Sequence, residues 1–174
     1  MSSTVKKEVI SWIKTILLAV ILAGLMNRFL IINAQVPTGS MENTIMTGDR
    51  IMGLRTSYWF EEPQRGDVVI FRYPDDPEGK TLFVKRIIGE GGDVVKVENG
   101  NVYVNDEALE EPYIKEITQG NFGPYEVPEG CYFMMGDNRN KSLDARFWDN
   151  KYVESDEILG KVKFRYFKGF KWIS

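Results

Sequence analysis

Apolar residues fill the chain from Val9 to Ile32 almost without interruption, and beyond that point they break into short runs separated by turn residues. As a helix the first run is about 36 Å long, enough to cross a hydrocarbon layer of roughly 30 Å. Lys14 and Arg28 fall inside it but near its ends, where a long stem carries the charge to the headgroups, and the stretch from Thr15 to Asn27 is uncharged. Thr15 to Met26 is apolar on every face, which argues against an amphipathic helix lying on a soluble core. A cleaved secretory signal is the competing reading, because Lys6, Lys7 and Lys14 precede a short apolar stretch; its best cleavage site, Ile32-Asn33-Ala34, is a poor small-x-small pattern. The uncleaved reading gives a short tail over 1–8, a single transmembrane anchor over 9–32 and an extracytoplasmic domain over 34–174. Three lysines on the N-terminal side, against Arg28 and the more distant Arg50 on the other, set the N-terminus in the cytoplasm.

Past the anchor the period falls to two. Gly66 to Phe71 is a compact apolar strand closed by the turn Pro74-Asp75-Asp76-Pro77. Val94 to Glu98 and Asn101 to Asn105 flank Asn99-Gly100, the pair that best satisfies a two-residue hairpin turn, since both positions take positive φ. Lys161 to Tyr166 alternates, with one apolar and one cationic face. Leu82 to Ile88 places Phe83, Lys85 and Ile87 on one face and Val84, Arg86 and Ile88 on the other. No long helical period or internal repeat follows the anchor, so the fold class is mainly β: one N-terminal transmembrane helix, then an antiparallel β domain.

Of the 174 residues, about 140 lie beyond the anchor, the size of one domain with its own core. Lys and Arg number 22 against 25 Asp and Glu, a net charge of −3, which speaks against a nucleic-acid partner. The single cysteine, Cys131, excludes an intramolecular disulfide. Beside Tyr132, Phe133 and Met134 it reads as a buried strand residue rather than a reactive thiol.

The chain contains no histidine. A serine hydroxyl near neutral pH is a poor nucleophile without a base, so if Ser40, in Val36-Pro37-Thr38-Gly39-Ser40-Met41, is catalytic, its base is a lysine or a carboxylate. Otherwise that segment is an ordinary loop leaving a membrane. Lys85, flanked by apolar neighbours on its strand, is the candidate. A solvated lysine titrates near 10.4, whereas a base needs about 7 to 8, a drop that desolvation can supply. The alternative is a lysine that snorkels or pairs with an acid. A third constellation, Gly136 to Arg146, is a loop dense in donors and acceptors, read either as a self-capped turn or as a shelf bracing a site. Arg139 and the lack of a glycine at the sixth position exclude a calcium loop. Asn43, third after Ser40, excludes the penicillin-binding arrangement.

Together these segments resemble the bacterial type I signal peptidases (leader peptidases), membrane-anchored Ser/Lys proteases. Val36 to Met41 with Gly48-Asp49-Arg50, then Gly66 to Val69 through Tyr73-Pro74, then Val84 to Gly89 with Gly92-Asp93, then Gly136 to Arg146, match that family's boxes in order. The resemblance implies a β catalytic core with a smaller β insertion, here about 94–130. It implies Ser40 as nucleophile, Lys85 as general base, and an oxyanion hole from the Ser40 N–H and the Thr38 hydroxyl. Ser142 would orient the Lys85 amine, Asp144 and Arg146 would pair behind it, and Asp137 would support the same shelf. Glu90-Gly91 replaces the usual leucine-proline, which is expected to loosen that turn. No metal or cofactor is implied; the implied partners are preprotein signal peptides, the lipid bilayer and the neighbouring protein-export translocon. Met41, Ile45 and Met46 with Tyr58-Trp59-Phe60 would form an apolar rim at the bilayer or pack in the core. The tail Phe167 to Ile173, with Lys168 and Lys171, would rest on the membrane or close the sheet. A noncatalytic membrane-tethered β binding module is the alternative function. A self-cleaving repressor-type Ser/Lys protease fits neither the anchor nor the missing DNA-binding module.

Overall fold

The structure, a computed structural model, describes residues 3–167 and 169–173. Lys168 of the expected tail contact lies outside them, as do Met1 and Ser2 of the expected cytoplasmic tail. Helix α1 (Ser3–Phe29) includes a stretch, Val5–Phe29, long and apolar enough to cross a membrane, and its apolar side chains are exposed. The helix ends sooner than the apolar run does. Its last bond is donated by the Leu30 N–H to the Met26 carbonyl, and Ile31 and Ile32 belong to a strand instead. Hydropathy cannot separate the two, because Ile32 is as apolar as the anchor yet buries its side chain in the β core.

Four strands come first: β1 (Ile31–Gln35), β2 (Arg50–Leu54), β3 (Val68–Arg72) and β4 (Leu82–Gly89). The chain then builds β5 (Val94–Glu98), β6 (Asn101–Val104), β7 (Glu107–Ala108) and β8 (Phe122–Glu126). It returns through β9 (Cys131–Met135), β10 (Val153–Glu154), β11 (Ile158–Arg165) and β12 (Lys171–Trp172). The outer two groups form one antiparallel sheet in the order β1-β2-β11-β3-β4-β9-β10, with β12 on β11. The middle group forms a second sheet, β7-β6-β5-β8. The hairpin turn has φ 51° at Asn99 and 87° at Gly100, and Glu98 pairs directly with Asn101. Where β4 meets the second sheet the backbone is stripped of a side chain: a Cβ on Gly89 would lie 2.5 Å from Val95 Cγ2.

Two buried clusters hold these layers. The larger joins Ile87, Phe133 and Met135 to Val95 and Val104 of the second sheet, so the two sheets share one interior. The smaller lies beneath the segment that follows β1 and gathers Ile32, Val36, Met41, Ile45, Ile70 and Val162. Met41 and Ile45 are therefore core rather than rim, while Met46 and Trp59 are exposed and Phe60 is 94% exposed. Cys131 is half-buried at the start of its strand. The alternation in β11 holds, but its cations do not simply face water: Lys161 pairs with Asp67, and Arg165 with Asp49 at 3.0 Å. Nor is the Glu90-Gly91 turn loose. Asp93 accepts from the Glu90 N–H and Arg65 Nη2, both at 2.7 Å, and from Asn105 Nδ2 at 2.8 Å.

Candidate active site

Ser40 sits at the head of a compact turn that follows β1. Val36 enters the small core, the Glu42 N–H returns to the Gly39 carbonyl at 3.1 Å, and the Ile45 N–H to the Met41 carbonyl at 2.8 Å. Burying Met41 and Ile45 completely is what pins this short segment, since it has no regular secondary structure to hold it. Ser40 is left 7% exposed, and among the described residues its backbone N–H has no acceptor.

Lys85 reaches the same point from β4, where it pairs with Val69 of β3. Its Nζ lies 2.7 Å from Ser40 Oγ and 3.2 Å from the Val84 carbonyl. The amine is 5.1 Å from the centre of the Phe83 ring, and the residue is only 4% exposed. No carboxylate forms an ion pair with it among the described residues. Burial pushes its pKa down to about 8, against the upward pull of Asp144 and then Asp137. An amine with that pKa is partly neutral near neutral pH and able to accept a proton.

The loop after β9 supplies the surroundings. Asp144 takes Arg146 on both oxygens, from Nε and Nη2, each at 2.8 Å, and its Oδ2 also accepts the Gly136 N–H at 3.0 Å. Asp137 takes Arg86 in the same two-pronged way, at 3.0 and 2.9 Å, and accepts from Thr44 Oγ1 at 2.5 Å. Each aspartate is thus matched by a buried guanidinium, the geometry in which such pairs are strongest. Ser142 departs from expectation. Its Oγ is buried without a hydrogen-bond partner among the described residues, and it is not among the partners of Lys85 Nζ, which are Ser40 and Val84. Gly136 explains the crowding there: a Cβ on it would fall 2.2 Å from Ser142 Oγ and 2.5 Å from the Ser40 carbonyl oxygen.

Several contributors escaped the sequence reading. Asn138 hydrogen-bonds the backbone on both sides of Ser40, and Arg139 is locked by Glu111 on both oxygens, at 2.7 and 2.5 Å. Arg86 carried a signal, since period two places it among apolar positions where a cation needs a carboxylate. Thr44 and Glu111 act through contacts distant in sequence and carried none, and for Asn138 the loop was singled out but its partner was not.

Thr38, exposed, lines a cavity of about 500 Å³ together with Ser40 and Lys85. The other walls are mostly apolar, from Ala34, Val36 and Ile70 to Leu82, Phe83 and Leu143. Among the described residues there is no cluster of three or more metal-ligating side chains. The arrangement is a hydroxyl and a desolvated amine in contact at the floor of an apolar groove, beside a free backbone N–H.

A family model described as signal peptidase, peptidase S26, matches residues 9–167. A probable signal peptidase I-2 of Synechocystis sp. is 39% identical over 156 residues, covering 88% of this chain and 71% of that protein. A signal peptidase I of Bacillus licheniformis is 38% identical over 176 residues, covering 95% and 92%. Signal peptidase I T of Bacillus subtilis is 37% identical over 177 residues, covering 94% and 90%. A solved signal peptidase I of Enterococcus faecalis, 28% identical, aligns over 58% of this chain and 97% of its own with a TM-score of 0.49.

Proposed function

The chain belongs to the signal peptidase family, peptidase S26, and from that membership we propose that it is a membrane-anchored serine endopeptidase cutting signal peptides from preproteins with Ser40 and Lys85. The observation that carries the residue assignment is the 2.7 Å approach of Lys85 Nζ to Ser40 Oγ, both residues being buried at the floor of the groove.

Neutral Lys85 takes the Ser40 proton as Oγ bonds to the carbonyl carbon of the scissile peptide. The negative charge that develops on the carbonyl oxygen is met by the Ser40 N–H and the Thr38 hydroxyl. As the C–N bond breaks, the ammonium of Lys85 returns the proton to the departing amine, the new N-terminus of the mature chain. The signal peptide remains as an ester on Ser40. A water molecule, losing a proton to Lys85, then attacks that ester, and as the ester C–O bond breaks the Lys85 ammonium returns the proton to Ser40 Oγ, restoring the serine and the neutral amine. Asp144 with Arg146, and Asp137 with Arg86, hold the shelf on which this occurs.

The groove suits an extended peptide. Residues 82–85 of β4 pair with β3 on one side, while β9 joins β4 only from Arg86 onward, so one edge of the strand is open beside Lys85. Its apolar walls favour small apolar side chains at the first and third positions before the cut. Helix α1 anchors the chain in the membrane with its N-terminus on the cytoplasmic side and the β domain outside, near the protein-export translocon.

The test is cleavage of a preprotein by the full chain in lipid vesicles. Wild type is expected to cut at a small-x-small site, while Ser40→Ala and Lys85→Arg leave the preprotein intact. Cleavage by either variant would overturn the residue assignment, and an inert wild type would leave a tethered binding module as the better reading.

A further inference from the structure

The atom that would hold the oxyanion belongs to a peptide group that a residue distant in sequence grips from its other end. Ser40 N–H and the Gly39 carbonyl are two ends of one planar trans peptide, so they point in opposite directions and turning one turns the other. The Gly39 carbonyl accepts from Asn138 Nδ2 at 2.8 Å as well as from the Glu42 N–H at 3.1 Å. One residue on, the Ser40 carbonyl accepts from the Asn138 backbone N–H at 3.0 Å. Asn138 therefore holds the carbonyls on both sides of the Ser40 Cα. The residue it steadies follows a glycine, whose backbone is the freest of any and would otherwise let this peptide swing.

The orientation of the Asn138 amide is not arbitrary. Reversed, it would set its oxygen against the Gly39 oxygen, two acceptors with no proton between them. In the orientation present, Asn138 Oδ1 is buried with no hydrogen-bond partner among the described residues, and the residue is 1% exposed. Here one end is left unpaired while the other faces the backbone of the nucleophile.

We propose that Asn138 is a positioning residue for the oxyanion hole: by fixing and polarising the Gly39–Ser40 peptide, it aims the Ser40 N–H at the developing negative charge. A hydrogen bond donated to an amide oxygen draws electron density from its nitrogen and makes the N–H a stronger donor. The inference rests on Ser40 being the nucleophile, as proposed above.

The experiment compares wild type, Asn138→Ala and Asn138→Asp in the full chain, in detergent micelles, on a signal-peptide substrate. The aspartate fills the same volume but presents only acceptors to the Gly39 oxygen. Both variants are expected to lose about 10- to 100-fold in kcat, somewhat less than deleting an oxyanion donor outright, with KM changed less than twofold. A peptide aldehyde, whose tetrahedral adduct places an oxygen in the hole, should weaken by the same factor, while binding of the cleaved signal peptide stays constant. In Asn138→Ala the acid limb of the pH profile, set by Lys85, should not move, whereas the new carboxylate of Asn138→Asp should shift it to higher pH. Activity within twofold of wild type overturns the proposal. So does a loss shared by the product complex, an acid limb displaced in Asn138→Ala, or unfolding of both variants at the assay temperature, since each makes Asn138 a residue of the fold. Cleavage by Ser40→Ala in the same assay would instead overturn the parent assignment, so the two failures are distinguishable.

Discussion

Protonating Lys85 is the perturbation that tests the site most directly, because it needs no substitution. With its pKa at about 8, the amine is neutral in about one molecule in ten at pH 7 and about nine in ten at pH 9. The second-order rate constant for cleavage, which reports the free enzyme, should rise about tenfold across that interval and then level. An unperturbed amine at 10.5 would be neutral in only about three molecules in ten thousand at pH 7, so burial supplies a factor of about three hundred, or roughly 3 kcal/mol. The assay is initial-rate cleavage of a fluorogenic signal peptide between pH 6 and 10, with a check that the enzyme stays folded throughout. A second arm fixes the origin of the limb. Asp144 pulls the Lys85 pKa upward, so Asp144→Asn should move the limb to lower pH in whatever activity remains. A rate that is flat from pH 7 to 9, or a limb near 10, would refute the reasoning, as would a limb that moves upward in Asp144→Asn.

Other consequences follow from the same geometry. Thr38→Val keeps the shape and removes a hydroxyl lining the groove, so kcat should fall by about a hundredfold with unchanged stability, the residue being exposed; equal activity would take Thr38 out of the oxyanion hole. Gly136→Ala drives a methyl onto Ser142 and the Ser40 carbonyl, and should cost about 1–3 kcal/mol in urea unfolding together with most activity; a silent variant would show that the shelf yields easily. Lys85→Met should abolish cleavage and stabilise the protein at pH 7. The folded pKa of about 8 lies below the unfolded 10.5, so between those values the folded state binds fewer protons and wild-type stability rises with pH, the full penalty applying below 8. The methionine variant should gain about 1–3 kcal/mol in urea unfolding at pH 7, and the gain should fade above pH 10; a loss at pH 7 would mean the amine is not desolvated.

What could be read from the letters was what depends on neighbours in sequence. The N-terminal apolar helix, the Asn99-Gly100 turn and the alternation in β4 each follow from a period or from a backbone angle, and Ser40 and Lys85 stood out because a chain without histidine has few ways to activate a hydroxyl. What could not be read was where an element hands over to the next and who meets whom across the fold. Ile31 and Ile32 looked like anchor because a membrane and a β core select the same side chains. Met41 and Ile45 looked free to face lipid because nothing local shows that β1 folds back over them. Asn138 meets Gly39 across 99 residues, and Thr44 meets Asp137 across 93, separations at which a single sequence carries no phase. Ser142 was placed on Lys85 by resemblance, and here the amine turns instead to Ser40 and the Val84 carbonyl.

If Lys85 is the base, as proposed, the two aspartates account for how its amine is kept weakly basic in a crowd of charges. Lys85 and Arg86 are neighbours on one strand and equally buried, yet they have different company. Arg86, which cannot lose its proton, is given Asp137 on both oxygens; Lys85 is given a hydroxyl and a carbonyl. If either carboxylate bonded the amine directly, the ion pair would hold Lys85 as ammonium and no proton could be taken from Ser40. Arg86 and Arg146 prevent this by occupying the carboxylate oxygens, so that Asp137 and Asp144 reach Lys85 only through their fields, and desolvation prevails over both. On that assignment the arginines would serve the chemistry without touching it: they satisfy Asp137 and Asp144, and leave the Lys85 amine without a counter-ion among the described residues.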